Sequence, residues 1–402
     1  MPSNRYEEIV GKHPIGCRVF DLNPGNHHDA IFTVPNTLDD FTEVCDLHQK
    51  HIGALHTHFM CDSSLPFGPI TYAPCGRIFG DFTSPAGQDE LMGYRLTVSE
   101  RHHILPEAIR PVWDLMRLRR KHTIHHDGKF VCLRQIDQGA NDLSLVISPG
   151  RYSEAKFSMD AEGHTLGITN KEFEFLAMNL TYVEQCELEE LYTDLCSRHN
   201  SDLTIRQIIH QMHGGLPTFN DGIYHHVIGI AGVILTEDGW VVVTRRGSSV
   251  SVNHGINCPI SGGVDWDNTY MPSSVVELVA RQTALEAHEE AGIRAFHPSL
   301  TPTCGSNGHI TILGLVRELA RGGSPEFMCC IQYRGSLAEL ISTMASNGHC
   351  GKAETDRFIY ALPLVEARRI PREAPSFHIH PKARLNLVLL DHAIARGTIE
   401  PP

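Results

Sequence analysis

The sequence contains no run of about 18 uninterrupted apolar residues, the length that a membrane-spanning helix requires. Its first residues, MPSNRYEEIVGKHP, are polar and lack the apolar core of a secretion signal. The 12 cysteines are scattered and include no Cys-x-x-Cys pair, which in a large chain without such a signal indicates reduced thiols. These absences together predict a cytoplasmic protein.

Positive charge is also scarce in this chain. Lys and Arg number 34 against 47 Asp and Glu, which gives a formal net charge of −13 at pH 7 with histidine neutral. A sequence-independent nucleic-acid binder gains its affinity by neutralising phosphates, and electrostatic membrane binding requires basic clusters. We therefore expect neither nucleic acid nor a membrane as a partner, whereas a homodimer is compatible with the sequence.

The chain of 402 residues is long enough for two domains, since a domain takes roughly 100–200 residues. The clearest boundary is the stretch HGGLPTFNDG at 213–222, which follows a helix predicted over 202–212 by its helical spacing of apolar residues. We therefore expect an N-terminal domain at 1–212, a linker at 213–222 and a C-terminal domain at 223–402. The N-terminal domain is predicted to mix α and β structure, with its fold and role unassigned.

The C-terminal part has a clearer pattern of alternating strands and helices. Two apolar strands are predicted to flank a Glu-Asp-Gly turn, a long helix follows, and two more strands precede a last helix. In chain order the predicted elements lie at 226–236, 240–245, 274–290, 309–317, 327–333 and 382–396. Strands on both sides of a central helix predict an α/β fold, with a sandwich around a mixed sheet.

The long predicted helix carries a cluster of carboxylates near its end. Ser274 and Glu277 have capping-box spacing at its start. Glu289 and Glu290 follow Glu286 at i+3 and i+4, so the three lie on one side of the helix. Carboxylates this close repel each other unless a cation lies among them, and oxygen ligands suit Mg²⁺ or Mn²⁺, which typically act on phosphates. The alternative interpretation is a solvated acidic helix end.

The segment 261–293 resembles the Nudix box. That family pattern has a glycine, five residues, a glutamate, seven residues, and then Arg-Glu-apolar-any-Glu-Glu-any-Gly-apolar. The positions that match at the required spacing are Glu277, Glu286, Ala287, Glu289, Glu290, Gly292 and Ile293. The similarity extends over roughly residues 222–400 and leaves the first half of the chain unexplained.

Two positions depart from the Nudix pattern. Met271 occupies the strict glycine slot, while Gly262-Gly263 lies further upstream, so the loop Val264–Met271 looks like an insertion. Leu285 stands where the family has an arginine that fixes a box glutamate. Arg281, one turn earlier, could take over that role or pair with Glu277 at i+4. A further explanation for Leu285 is that the slot packs into a core.

The resemblance implies a Nudix-like α/β/α sandwich that hydrolyses a diphosphate bond in a nucleoside diphosphate-linked or other small organic diphosphate. It implies that Glu286, Glu289 and Glu290 are catalytic and hold Mg²⁺ or Mn²⁺, with the carbonyl group of Gly262 or Gly263 as a further ligand. The metal would activate the attacking water. The family often takes an extra acid from a late loop, for which Glu354 is the candidate; a plain solvated glutamate is the other interpretation of that residue.

A second hypothesis belongs to a different functional class. Leu285 and the altered glycine spacing favour a degenerate Nudix module that binds a nucleotide or a partner without hydrolysis. The three retained glutamates favour the enzyme, because drift in a binding module would have no reason to keep costly carboxylates together. The identity of the substrate does not follow from either hypothesis.

Two smaller motifs have simpler explanations. His56-x-His58, followed by Cys61 and Asp62, has the residue types of a zinc site, but close histidine pairs arise by chance in a chain with 26 histidines. Asn257-Cys258-Pro259 faintly resembles the catalytic cysteine segment of isopentenyl diphosphate isomerase, which shares the Nudix fold. We interpret Cys258 instead as a buried cysteine at the end of a strand.

Overall fold

The computed structural model describes most of the chain from residue 76 onwards, together with a short N-terminal strand. The ranges described are 18–21, 76–99, 105–124, 127–138, 143–159, 164–214, 217–246, 255–270, 272–298, 305–318, 323–346, 355–369 and 381–402. Within these ranges, no helix combines the length and the apolar character that crossing a membrane would demand.

The strands of the described residues form two separate sheets. In chain order they are β1 (Arg18–Asp21), β2 (Gly76–Asp81), β3 (Arg95–Val98), β4 (Lys129–Gln138), β5 (Leu143–Arg151), β6 (His226–Val227), β7 (Gly229–Thr236), β8 (Trp240–Arg246), β9 (Gly255–Asn257), β10 (Ile260–Gly263), β11 (Ala295–Phe296), β12 (Gly308–Glu318), β13 (Ser324–Tyr333) and β14 (Thr355–Pro363).

The α-helices are interspersed with these strands. They are α1 (Pro85–Met92), α2 (Arg110–Arg120), α3 (Tyr152–Ser158), α4 (Asn170–Asn179), α5 (Tyr182–Arg198), α6 (Ile205–His213), α7 (Val275–Ala291), α8 (Leu337–Ser346), α9 (Leu364–Arg369) and α10 (Pro381–Ala395). Short 3₁₀ turns lie at Lys121–Thr123 and Phe219–Asp221.

The larger sheet is mixed. Its main path runs β1-β14-β8-β7-β13-β12-β11, and β10, β9 and β2 pair with β7, β8 and β12 respectively. The pairs β7/β13 and β11/β12 are parallel, whereas the pairs that β10 and β2 make are antiparallel. The sequence prediction of an α/β protein with a mixed sheet is confirmed.

One long helix covers each face of the larger sheet, because the residues of the central strands alternate between two cores. Ile230 and Ile234 of β7 pack in the same core as Val276 and Val279 of α7. Their neighbours along β7 point to the opposite face, where the core includes Ala231, Val233, Leu387 and Leu390, the last two from α10. Such alternation is typical of strands buried on both faces. The helix α7, the larger sheet and the helix α10 therefore form three layers.

The smaller sheet has the order β3-β5-β4-β6 and packs against helices of the first half of the chain. The apolar core on this side includes Leu115 of α2, Leu188 of α5 and Ile205 and Ile209 of α6. Helix α6 begins after Thr204, whose hydroxyl accepts the Gln207 N–H, and ends at Gly214 in the left-handed conformation. Capping side chains and a terminal glycine explain these limits.

Strand pairing crosses the boundary predicted at 213–222. From the first half, β1 pairs with β14 and β2 pairs with β12, so both belong to the larger sheet. From the second half, β6 pairs with β4 of the smaller sheet. The predicted strand at 226–236 is therefore two strands in two sheets, with Ile228 between them. The sheets therefore do not follow the predicted division into residues 1–212 and 223–402. The sequence could not reveal this pairing, because hydrophobic patterns report local periodicity and carry no information on pairing partners.

Candidate metal centre

Helix α7 is held in a defined rotation by its caps and its apolar face. The Ser274 hydroxyl accepts a hydrogen bond from the Glu277 N–H at 3.2 Å, and Gly292, with φ of 69°, ends the helix. Residues that include Val276, Val279 and Ala287 are buried against the sheet. Because that face is fixed, the turns that carry the glutamates lie where the helix meets β10.

Glu286 lies directly against the backbone of β10. A Cβ atom built on Gly262 would be 2.1 Å from Oε1 of Glu286, which is far inside the contact distance of real atoms. Only a glycine at position 262 therefore admits the carboxylate in this position. The register of β10 on β7, with Gly262 opposite Ile230, places that glycine beneath the helix.

Glu290 reaches the same strand one residue earlier. Its Oε2 accepts a hydrogen bond of 2.8 Å from the backbone N–H of Ser261. Two of the three predicted ligands therefore converge on consecutive residues of β10. Glu289 belongs to the same helical turn, and its side chain is exposed. A carboxylate that accepts a backbone N–H bond is oriented by it, as a preorganised ligand requires.

Gly263 contacts the smaller sheet. A Cβ atom on Gly263 would lie 2.7 Å from the ring of Phe130 in β4. The next residue, Val264, accepts a hydrogen bond of 2.7 Å from the Val131 N–H and donates one of 2.8 Å to the carbonyl of Ile228. Gly262 therefore lies against α7, and Gly263 lies against β4. Sequence reasoning missed Phe130, because nothing in its local pattern indicates a contact with Gly263.

The predicted inserted loop folds back onto the outer side of α7. The Tyr270 hydroxyl donates a hydrogen bond to Glu277, and this bond is the main cause of a raised pKa of Tyr270. The Arg281 guanidinium lies 4.3 Å from the centre of the Tyr270 ring. Tyr270 thus links two residues of α7: its hydroxyl donates to Glu277, and its ring stacks with Arg281. Met271 lies outside the described residues.

The explanation that Leu285 packs into a core is wrong. The side chain of Leu285 is 52% exposed on the outer side of α7. The slot that carries an arginine in the Nudix pattern therefore holds an apolar side chain in contact with solvent. It supplies no hydrogen bond to a neighbouring glutamate.

Cys258 is a buried cysteine, as interpreted from the sequence, with 2% of its surface exposed. It packs in the core beneath α10, and the Asn386 side-chain amide donates to its sulfur at 3.7 Å. The candidate extra acid, Glu354, lies outside the described residues. So do the histidines and their neighbours at residues 56–62.

The side-chain oxygens beside Gly262 and Ser261 belong to the carboxylates of Glu286 and Glu290, and carboxylate oxygens are hard ligands of the kind that Mg²⁺ and Mn²⁺ accept. Among the described residues, no three side chains of His, Cys, Asp or Glu are assembled into a group that could hold a metal ion. The site as built consists of the Glu286 and Glu290 carboxylates against the β10 backbone.

No model of a known protein family matches this chain, and a search of curated proteins finds no significant match.

Proposed function

We propose that the protein is a Nudix-type hydrolase that uses Mg²⁺ or Mn²⁺ to cleave a diphosphate bond in a nucleoside diphosphate-linked or other organic diphosphate. The observation that carries this proposal is the convergence of Glu286 on Gly262 and of Glu290 on the Ser261 N–H. The loop Val264–Met271 lengthens the sequence between glycines and glutamates, yet both elements meet in space. A mixed sheet with a long helix on each face also fits a Nudix-like sandwich.

The residues present suit a hard divalent cation. In the proposed site, Glu286 and Glu290 would hold the metal, the carbonyl of Gly262 or Gly263 would add a neutral oxygen, and the exposed Glu289 would have to turn towards them to complete the carboxylate set. A bound divalent ion would supply Lewis-acid stabilisation of phosphate charge and a lowered pKa of the attacking water. The chain's own contribution is orientation: the Ser261 N–H fixes Glu290, and the bare Cα of Gly262 gives room to Glu286.

The first half of the chain adjoins this site. Strand β4 contacts Gly263 through Phe130 and hydrogen-bonds to Val264 through Val131. We assign to this part of the protein a supporting role, since it holds the glycine segment from the side opposite to α7. Strand β2 of the first half also pairs with β12, so experiments on the site require the full chain.

One experiment tests the reaction directly. The full chain is incubated with a panel of nucleoside diphosphate-linked and other organic diphosphates, and phosphate is measured after treatment of the products with a phosphatase. We expect turnover of at least one compound with Mg²⁺ or Mn²⁺ and its loss on addition of EDTA. A panel in which no compound is cleaved, under conditions where metal binding is measurable, would overturn the hydrolase proposal.

A second candidate function is a non-hydrolytic Nudix module that binds a nucleotide or a protein partner. The observation that favours it is Leu285, an exposed apolar side chain where the box carries an orienting arginine. Binding without cleavage would appear in the same panel as a ligand-induced rise in melting temperature with no product. The two carboxylates of α7 that meet β10 favour the enzyme over this candidate.

Substitution of Leu285 by arginine separates the two candidates. Because the side chain is 52% exposed, Leu285→Arg should change the free energy of unfolding by less than about 0.5 kcal/mol. In a hydrolase with a weakened site, the new guanidinium should tighten Mn²⁺ binding and raise kcat. Leu285→Gln, polar but uncharged, is the matched control. Unchanged metal affinity and turnover in the arginine variant would favour the binding module.

A further inference from the structure

Gln282 connects the candidate site to the loop that precedes α7. It lies one helical turn before Glu286 and is 5% exposed. Its Nε2 donates a hydrogen bond of 3.0 Å to Oε1 of Glu286, and its Oε1 accepts one of 3.2 Å from the Asp265 N–H. The orientation of the amide follows from these partners, since a backbone N–H requires an acceptor and a carboxylate requires a donor.

The oxygen that Gln282 binds is the same oxygen that lies against Gly262. Oε1 of Glu286 receives the amide hydrogen bond and is also the atom closest to a Cβ built on Gly262. One contact therefore fixes the carboxylate from the helix side, and the other limits it from the strand side. A carboxylate held between two such contacts has little freedom to change its rotamer.

We propose that Gln282 is the positioning residue of this site, holding Glu286 in its metal-binding orientation where Leu285 offers no hydrogen bond. This inference rests on the proposed function, because it concerns the orientation of a metal ligand. The amide is neutral, so it orients Glu286 without competing with a cation for its charge. Its second hydrogen bond, accepted from the Asp265 N–H, fixes the start of the inserted loop. Gln282 therefore connects this loop to the site.

Gln282 also has a structural contribution that has to be separated from positioning. A buried amide with both ends bonded stabilises the junction of helix and loop, so removing it lowers stability whatever the site does. A purely structural role would lower the melting temperature and leave metal affinity unchanged in the folded protein. A positioning role changes the affinity and selectivity for metal as well.

The test compares Gln282→Met with Gln88→Met in the full chain. Methionine has nearly the same length and helix propensity but lacks the amide. Gln88 is a matched control because it also joins a helix to a strand, donating to the carbonyl groups of Phe82 and Ile312 at 2.5 and 2.8 Å. Binding of Mn²⁺ is measured from the electron paramagnetic resonance of the free ion, and melting temperature is measured without metal.

We expect both variants to have a lower melting temperature than the wild type. Only Gln282→Met should lose Mn²⁺ affinity, by about 10–100-fold, which is the usual effect of removing a group that orients a metal ligand. Competition experiments should show a larger loss for Mg²⁺ than for Ca²⁺, since Mg²⁺ demands a nearly ideal octahedral site and Ca²⁺ does not. If Gln282→Met does not fold, Gln282→Asn keeps a polar amide that is too short to span both partners, and the same losses are expected.

The possible failures are distinguishable. A wild-type protein that binds no Mn²⁺ overturns the metal centre, and the role of Gln282 with it. If the wild-type protein binds Mn²⁺ and both Gln282 variants bind it equally tightly, the metal centre stands and only the positioning role is overturned. Equal loss of affinity in Gln88→Met would also overturn that role, because general loosening would then explain the effect.

Discussion

Replacing Glu290 with glutamine is expected to lower kcat of the proposed diphosphate hydrolysis by more than about 100-fold, since loss of outer-shell groups alone typically costs about 10–100-fold. Glutamine retains the length of the side chain, and its amide oxygen can still accept the Ser261 N–H that now bonds to Oε2 at 2.8 Å. The substitution therefore removes one charge of the proposed metal site while the contact between helix and strand remains.

This prediction is measured by steady-state kinetics with Mg²⁺ and with Mn²⁺, together with a thermal melt that reports the integrity of the fold. Glu189→Gln is the matched control, because Glu189 is an exposed helical glutamate of α5, remote from β10 in the topology. Its kcat should equal that of the wild type. If Glu290→Gln retains full turnover, the carboxylate cluster is not the catalytic site.

The second large effect concerns stability on the face of the sheet opposite to α7. Lys382 of α10 and Glu326 of β13 form an ion pair with Nζ and Oε2 2.6 Å apart, and their side chains are 5% and 1% exposed. A Cβ atom on Gly229 would lie 2.5 Å from Oε1 of Glu326, so the carboxylate is also enclosed by β7. Lys382→Met is expected to lower the free energy of unfolding by about 3–5 kcal/mol, because it leaves a buried carboxylate without this cation.

Urea denaturation of the full chain measures this effect. Lys121→Met is the control, since Lys121 pairs with Glu184 at 2.6 Å but is 54% exposed, and its removal should cost about 1 kcal/mol or less. The double variant Glu326→Gln with Lys382→Met should recover much of the loss, because it removes both buried charges. A single variant no less stable than the exposed control would show that the pair contributes little.

Much of the local structure could be predicted from the sequence, because caps and periodicity act over a few residues. The helix predicted at 274–290 is Val275–Ala291, and the last helix predicted at 382–396 is Pro381–Ala395. The strands predicted at 309–317 and 327–333 are Gly308–Glu318 and Ser324–Tyr333. The boundaries agree because a serine cap, a left-handed glycine and a hydrophobic alternation are local signals.

The arrangement of the sheets could not be predicted in the same way. Strands β1 and β2 join the larger sheet from a part of the sequence that the predicted linker assigns to another domain. Their pairing depends on register with strands that follow hundreds of residues later, and hydrophobic alternation is the same whichever partner a strand has. The contact between Phe130 and Gly263 depends on this arrangement too.

For the candidate site, the sequence alone determined which chemical groups are present and how they are spaced along the chain. These are three glutamates at helical spacing, a glycine pair upstream and an apolar residue in the arginine slot. Only the tertiary structure decided which of these groups meet. The rotation of α7 on its buried face and the register of β10 on β7 bring Glu286 to Gly262 and Glu290 to Ser261. The same packing leaves Leu285 in solvent and buries Gln282 beside Glu286, since burial depends on what covers a helix face and not on residue type alone.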